Sequence, residues 1–137
     1  MQNFRHYLQP LVMPSSVALI GASERPGSLG RVVYENLLAG GFTGEIVAVN
    51  PNRKRIFGHR VARSLATLKK RIDCAVIATP CDQVSDVLAQ GGSAGLRSAV
   101  ILTAPPVARR RRSGGRARSR PWPPSTAFVL SAPRRSA

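Results

Sequence analysis

Four short apolar runs constrain this chain more than any other feature: 16–22 (SVALIGA), 45–50 (EIVAVN), 74–80 (CAVIATP) and 98–104 (SAVILTA). Each is rich in Val, Ile and Ala, and none alternates apolar with polar residues. A strand with one wet face alternates with a period of two, whereas a strand covered on both faces has no polar side to show. The four runs are therefore expected to lie side by side in a parallel sheet with helices above and below.

The segments between them fit that expectation. Leu29, Val33 and Leu37 recur every four residues, Ser28 stands ahead of them as a cap, and Gly40–Gly41 supplies a stop. Val84, Val87 and Leu88 share one helical face, with Asp82 placed to cap its start. A shorter helix is expected over 63–73 (RSLATLKKRID), opened by Ser64 and ending in a basic turn that suits the helix dipole. Strand, helix and strand in repetition predict an α/β domain: a Rossmann-like doubly wound parallel sheet of about four strands with right-handed crossovers.

Charge divides the chain in two. Residues 1–104 carry twelve Lys and Arg against all six acids, while residues 105–137 carry nine Arg, six Pro and no acid. Only the short AFVL within that second part can pack against anything. By composition, 105–137 is expected to be a disordered basic tail attached to a domain spanning 1–104. Its Arg, Pro, Ala, Ser and Gly are the residues a GC-rich gene yields when read out of frame. The tail is accordingly expected to be frameshift-derived.

Cys74 and Cys81 do not form a disulfide framework, and no nearby Cys or His completes a zinc pattern. No secretory signal opens the chain, and no run of about 18 apolar residues could span a membrane. A cytoplasmic location is the expectation.

The chemistry is expected in the loop after the first run, GASERPGSLG (21–30). It leaves a strand at the carboxyl edge of the sheet and opens a helix, whose free N–H groups and dipole favour phosphate. Gly21 lets the chain turn close to a ligand, Gly27 and Gly30 permit tight backbone approach, and Ser23 and Ser28 offer hydroxyls. The spacing fits neither GxGxxG, since Ser23 stands where the second glycine belongs, nor a P-loop, since no lysine follows. The second strand also lacks the terminal acid that would hold the ribose of NAD. It ends in VNPNRKR, with Asn50 and Pro51 ahead of Arg53, Lys54 and Arg55. A basic cluster there suits an extra phosphate, which both NADP and coenzyme A possess.

Taken in order, VALIGAS with PGSLG, GGFTGEIVAVNP, IFGHRVARSLATL and IDCAVIATP resemble the CoA-binding domain of NDP-forming acyl-CoA synthetases. ADP-forming acetate–CoA ligase belongs to that group, and the succinyl-CoA synthetase alpha subunit is a more distant member. The similarity covers roughly residues 10–104. It implies CoA or acyl-CoA as the ligand and the remaining synthetase domains or subunit as partners. It implies that Gly21, Ala22, Ser23, Ser28 and Gly30 form the phosphate loop, that Asn50 and Pro51 shape a second loop, and that Ala78, Thr79 and Pro80 form a third wall. Where the family often has a lysine after NP this chain has Asn52, and Arg53 is the substitute.

In the resembled enzymes a histidine on a later domain carries the phosphoryl group and an ATP-grasp domain handles the nucleotide. His6 precedes the first strand, and His59 lies in the turn FGHRV. Neither maps to that histidine, so no catalytic residue and no metal ligand is assigned, and activity of the chain alone is not expected. Two alternatives stay open on the residues: an NADP-binding domain of an oxidoreductase, and a nucleic-acid-binding protein acting through the arginines near Trp122 and Phe128. The second of these needs nothing more specific than a polycation meeting phosphates.

Overall fold

The computed structural model describes residues 8–103 and 127–131. All four apolar runs form strands: β1 (Ser16–Ile20), β2 (Glu45–Val49), β5 (Cys74–Ile77) and β6 (Ser98–Leu102). They pair in parallel in the order β2-β1-β5-β6, with Ala18 opposite both Val47 and Ala75. Each strand stops before the end of its run. The residues left over, Gly21–Ala22, Asn50, Ala78–Pro80 and Thr103, form the rim where loops begin.

Because side chains alternate across the pleat, β1 feeds two separate cores. Ala18 and Ile20 face one side, with Val49, Ala75, Ile77 and Leu65, and Val84, Val87 and Leu88 of α3 (Cys81–Ser93) close it. Leu19 and Ala22 face the other, with Ala48, Ile56 and Tyr34, and Val33 and Leu37 of α2 (Leu29–Ala39) pack there. Leu19 and Ala18 are completely buried. The helices lie on opposite faces, which makes the sheet doubly wound as expected.

Helix α2 is capped as its sequence suggests: Ser28 Oγ accepts from Arg31 N at 3.3 Å, and the helix closes on Gly40, with Gly41 at φ +70°. Helix α3 begins differently. Its first residue is Cys81 and its cap position is Pro80, so Asp82 lies inside the first turn, where a carboxylate suits the dipole without capping. A four-residue helix, α1 (Gln9–Val12), precedes the sheet.

The strand count and three segments correct the sequence reading. Among the described residues the sheet has seven strands, in the order β3-β4-β2-β1-β5-β6-β7. The basic cluster after β2 turns into a hairpin of β3 (Arg55–Ile56) and β4 (His59–Ala62), and β4 adds in parallel to β2. The helix expected over 63–73 shrinks to one 3-10 turn, Leu65–Thr67. Thr67 Oγ1 donates to Ser64 O at 2.8 Å and accepts from Ser64 N, which closes a single turn, and Leu68 is already extended. Finally, β7 (Ala127–Ser131) arises within the segment expected to be disordered and pairs antiparallel with β6 along its whole length. The AFVL sequence supplies β-formers, and the free edge of β6 supplies unpaired N–H and C=O groups. The rest of that expectation, for 104–126 and 132–137, lies outside the described residues.

Candidate functional site

Strand order reverses beside β1. From β1 the chain moves through α2 to β2 on one side, and later returns to β5 on the other. The loops after β1 and β5 therefore leave toward opposite faces, and the crevice between them is the switch point where open α/β sheets bind ligands.

Sheet hydrogen bonding carries on to the floor of that crevice: Gly21 N donates to Val49 O at 3.0 Å and Ala78 N donates to Ile20 O at 2.8 Å. Gly21 has φ +87°, and a Cβ there would lie 2.7 Å from Ala78 O and 3.1 Å from Thr79 Cγ2. A Cβ on Gly30 would lie 1.9 Å from Gly21 O, so the first turn of α2 rests directly on the loop. The two glycines bring three backbone segments into contact that any side chain would hold apart. Gly27, also left-handed at φ +73°, has open space around it and contributes only the turn.

Polar groups brace this arrangement. Asn50 Nδ2 donates to Ala22 O at 2.8 Å, while its Oδ1 accepts from Asn52 N at 2.8 Å. One side chain thus ties the loop after β2 to the loop after β1. Ser28 Oγ donates to Arg25 O at 2.7 Å as well as accepting from Arg31 N, so its proton is already used within the loop. Ser23 Oγ accepts from Arg25 N at 3.1 Å and keeps its proton for another acceptor. The third wall is held by Cys81 Sγ, 3.1 Å from Thr103 Oγ1 at the end of β6.

Thr79 Oγ1 stands apart from these. It is buried and has no hydrogen-bond partner among the described residues, at a position in contact range of Gly21. A buried hydroxyl without a partner costs about 1–3 kcal/mol. A polar ligand entering the crevice would remove that cost.

The structure gathers Gly21, Ala22, Gly30, Ala78 and Thr79 around one crevice and places Ser23, Ser28, Asn50 and Pro51 in the loops that form its rim. Pro80 caps α3, and Arg53 is exposed beyond Asn52. Two features escape the sequence. Glu24 is engaged by the hairpin: its carboxylate accepts from Phe57 N at the hairpin tip. Arg63 is brought to the rim because β4 pairs with β2, and Asn50 N donates to Ala62 O at 2.9 Å. Nothing in linear order puts residue 63 beside residue 50; the signal was the two-residue Phe57–Gly58 turn between β-forming segments.

Among the described residues no cluster of three or more His, Cys, Asp and Glu is placed to hold a metal ion, and no helix is long and apolar enough to cross a membrane.

A profile of the family described as CoA binding domain matches residues 15–120. A trans-feruloyl-CoA synthase from a prokaryote of unknown species is 43% identical over 94 residues, which is 69% of this chain and 13% of that protein. An ADP-forming acetate–CoA ligase from Methanocaldococcus jannaschii is 39% identical over 97 residues, 71% of this chain and 14% of that protein. Among solved structures, an acetyl-coenzyme A synthetase from Ca. Korarchaeum cryptofilum, in complex with phosphate and ADP, superimposes with a TM-score of 0.68 at 34% identity. That match covers 71% of this chain and 21% of the synthetase. The chain thus spans about a seventh of the length of the curated relatives named here.

Proposed function

We propose that this chain, which belongs to the CoA binding domain family, holds CoA or an acyl-CoA in the crevice between the ends of β1 and β5. The observation that carries the proposal is the meeting of Gly21, Gly30 and Thr79. Backbone is packed there too closely for any side chain, and Thr79, in contact range of Gly21 through its methyl, carries a buried hydroxyl without a partner among the described residues. The first turn of α2 has N–H groups without intrahelical acceptors, and its dipole is positive at that end. The diphosphate of CoA would lie against that turn, with Ser23 as a hydroxyl donor and Ala78–Pro80 as the opposite wall. Asn50 and Ser28 act by holding the loops in place.

On these assignments the domain binds and orients CoA, and the groups that make and break bonds in acyl activation are supplied by other synthetase domains or another subunit. CoA contributes the thiol that carries an acyl group. We place the protein in the cytoplasm, where CoA thioesters are handled and where Cys74 and Cys81 stay reduced.

A thermal-shift comparison tests the assignment. Saturating CoA raises the melting temperature of the full chain, by about 2.7 kcal/mol of added stability at a hundred times Kd, and NADP at the same concentration does not. A shift with NADP and none with CoA would transfer the site to a nicotinamide cofactor.

A further inference from the structure

In dinucleotide-binding sheets the end of the second strand meets the ribose: an acid there takes the free hydroxyls, and an arginine accommodates a phosphate on the ribose. Here β2 ends at Asn50, and its side chain is engaged at both ends, with Ala22 O and Asn52 N. No acid occurs anywhere from Asn50 to Ser64. What the fold adds at this point is Arg63. The Asn50–Ala62 hydrogen bond fixes β4 against β2, so Arg63 begins one strand spacing, about 5 Å, from the end of β2. Arg53 lies three residues along the chain from Asn50, in the connection that crosses to β3 on the outer flank of β4, so both arginines lie on the β4 side of β2, and both are exposed.

The charges around them are uncompensated. Three acids are taken elsewhere: Glu35 by Arg31 at 2.7 Å, Asp73 by Arg97 at 3.4 Å, and Glu45 by Lys70. Glu24 accepts from Phe57 N, and the remaining acids, Asp82 and Asp86, sit on α3. Arg53 and Arg63 have no ion pair among the described residues. Two exposed arginines carried by neighbouring segments at the ends of β2 and β4 suit a doubly charged anion, which a guanidinium group can grip with two parallel N–H donors.

We propose that Arg63, with Arg53, binds a phosphomonoester on the ligand's ribose, which in CoA is the 3′-phosphate, and so makes the protein discriminate CoA from 3′-dephospho-CoA. The assignment of Arg63 rests on the CoA-binding function proposed above. With Asn52 after Pro51, the second cation comes from the neighbouring strand.

The test is a set of titrations on the full chain with CoA, 3′-dephospho-CoA, NADP and NAD, for the native protein, Arg63→Gln and Arg63→Lys. The native protein is expected to prefer CoA over dephospho-CoA by at least about tenfold, the scale of a charge-assisted contact. Arg63→Gln removes most of that preference and leaves dephospho-CoA affinity unchanged, which also shows that the variant is folded, and Arg63→Lys restores part of it. Equal affinity of the native protein for CoA and dephospho-CoA would overturn the role of Arg63 while leaving CoA binding intact. Equal weakening of both ligands by Arg63→Gln, or no change in either, would overturn it as well. If the Arg63-dependent preference appears for NADP over NAD and not for CoA, the phosphomonoester site stands and CoA as the ligand fails. Binding of none of the four defeats both.

Discussion

At the scale of single residues, the two left-handed glycines of the first loop separate geometry from binding. Gly21→Ala places a methyl 2.7 Å from Ala78 O in a backbone conformation that L residues avoid, so backbone must move. It is expected to cost more than about 2 kcal/mol in urea unfolding and to abolish CoA binding. Gly27→Ala meets nothing within 4 Å. It costs only the left-handed conformation, about 1 kcal/mol, and leaves CoA binding nearly unchanged. Cys74 gives a prediction with pH. Burial pushes its thiol above the ordinary value, so the unfolded chain ionises first. Its contribution to stability is complete below about pH 8.5 and is lost as pH rises from there through the folded value. Unfolding free energy measured from pH 7 to pH 10 therefore falls more steeply for the native protein than for Cys74→Ala. Gly21 and Gly30 were legible in the sequence because only glycine permits so close an approach, whereas Gly27, read the same way, has open space around it and serves only the turn. The roles of Ser28 and Asn50 were legible only in part. The sequence shows which residues carry a hydrogen-bonding group, but not whether a neighbouring carbonyl, such as Arg25 O or Ala22 O, has already claimed it.

At the scale of elements, the hairpin is tied to the loop after β1 by a side-chain clasp. Phe57 stacks on Tyr34 with ring centroids 5.9 Å apart, Arg31 lies over the Phe57 ring at 5.3 Å, and Arg31 Nη1 donates to Glu24 O at 3.0 Å. Phe57 itself has φ +46°, and Gly58 has φ +78°, the signature of a two-residue hairpin turn with both positions left-handed. Phe57→Ala keeps the strained backbone and loses the stack and the cation–π contact. It should cost about 1–2 kcal/mol, read as a lowered midpoint in chemical denaturation. This hairpin is absent from the sequence reading because such turns announce themselves by Asn-Gly or Asp-Gly. Here a phenylalanine occupies the first position, held there by tertiary contacts that no local pattern encodes. The expected helix at 63–73 failed for a related reason. Its larger apolar residues are Leu65, Leu68 and Ile72, and Leu65 is satisfied by burial against the α3 face from a single turn.

At the scale of the whole molecule, the parallel strands and their two helical layers followed from the absence of alternation in four runs, because burial on both faces leaves no other composition. The seventh strand did not follow, since the composition around Ala127–Ser131 argues against order and only the open edge of β6 gives that segment a partner. Removing residues 105–137 takes β7 with it and exposes the β6 edge. The shortened chain is expected to melt at a lower temperature and to self-associate more, while its CoA affinity stays within about twofold of the full chain, a difference of under about 0.5 kcal/mol. Loss of CoA binding on that truncation would move the ligand from the crevice to the arginine-rich segment.

The most direct measurement of the central claim is a CoA titration of the isotopically labelled full chain, followed by amide chemical shifts. CoA held at the switch point predicts shifts concentrated in 21–30, 50–53, 63 and 78–81, four segments that meet only at the carboxyl edge of the sheet. Shifts confined to the arginines of 109–120, or no shifts in a sample that unfolds cooperatively, would contradict it.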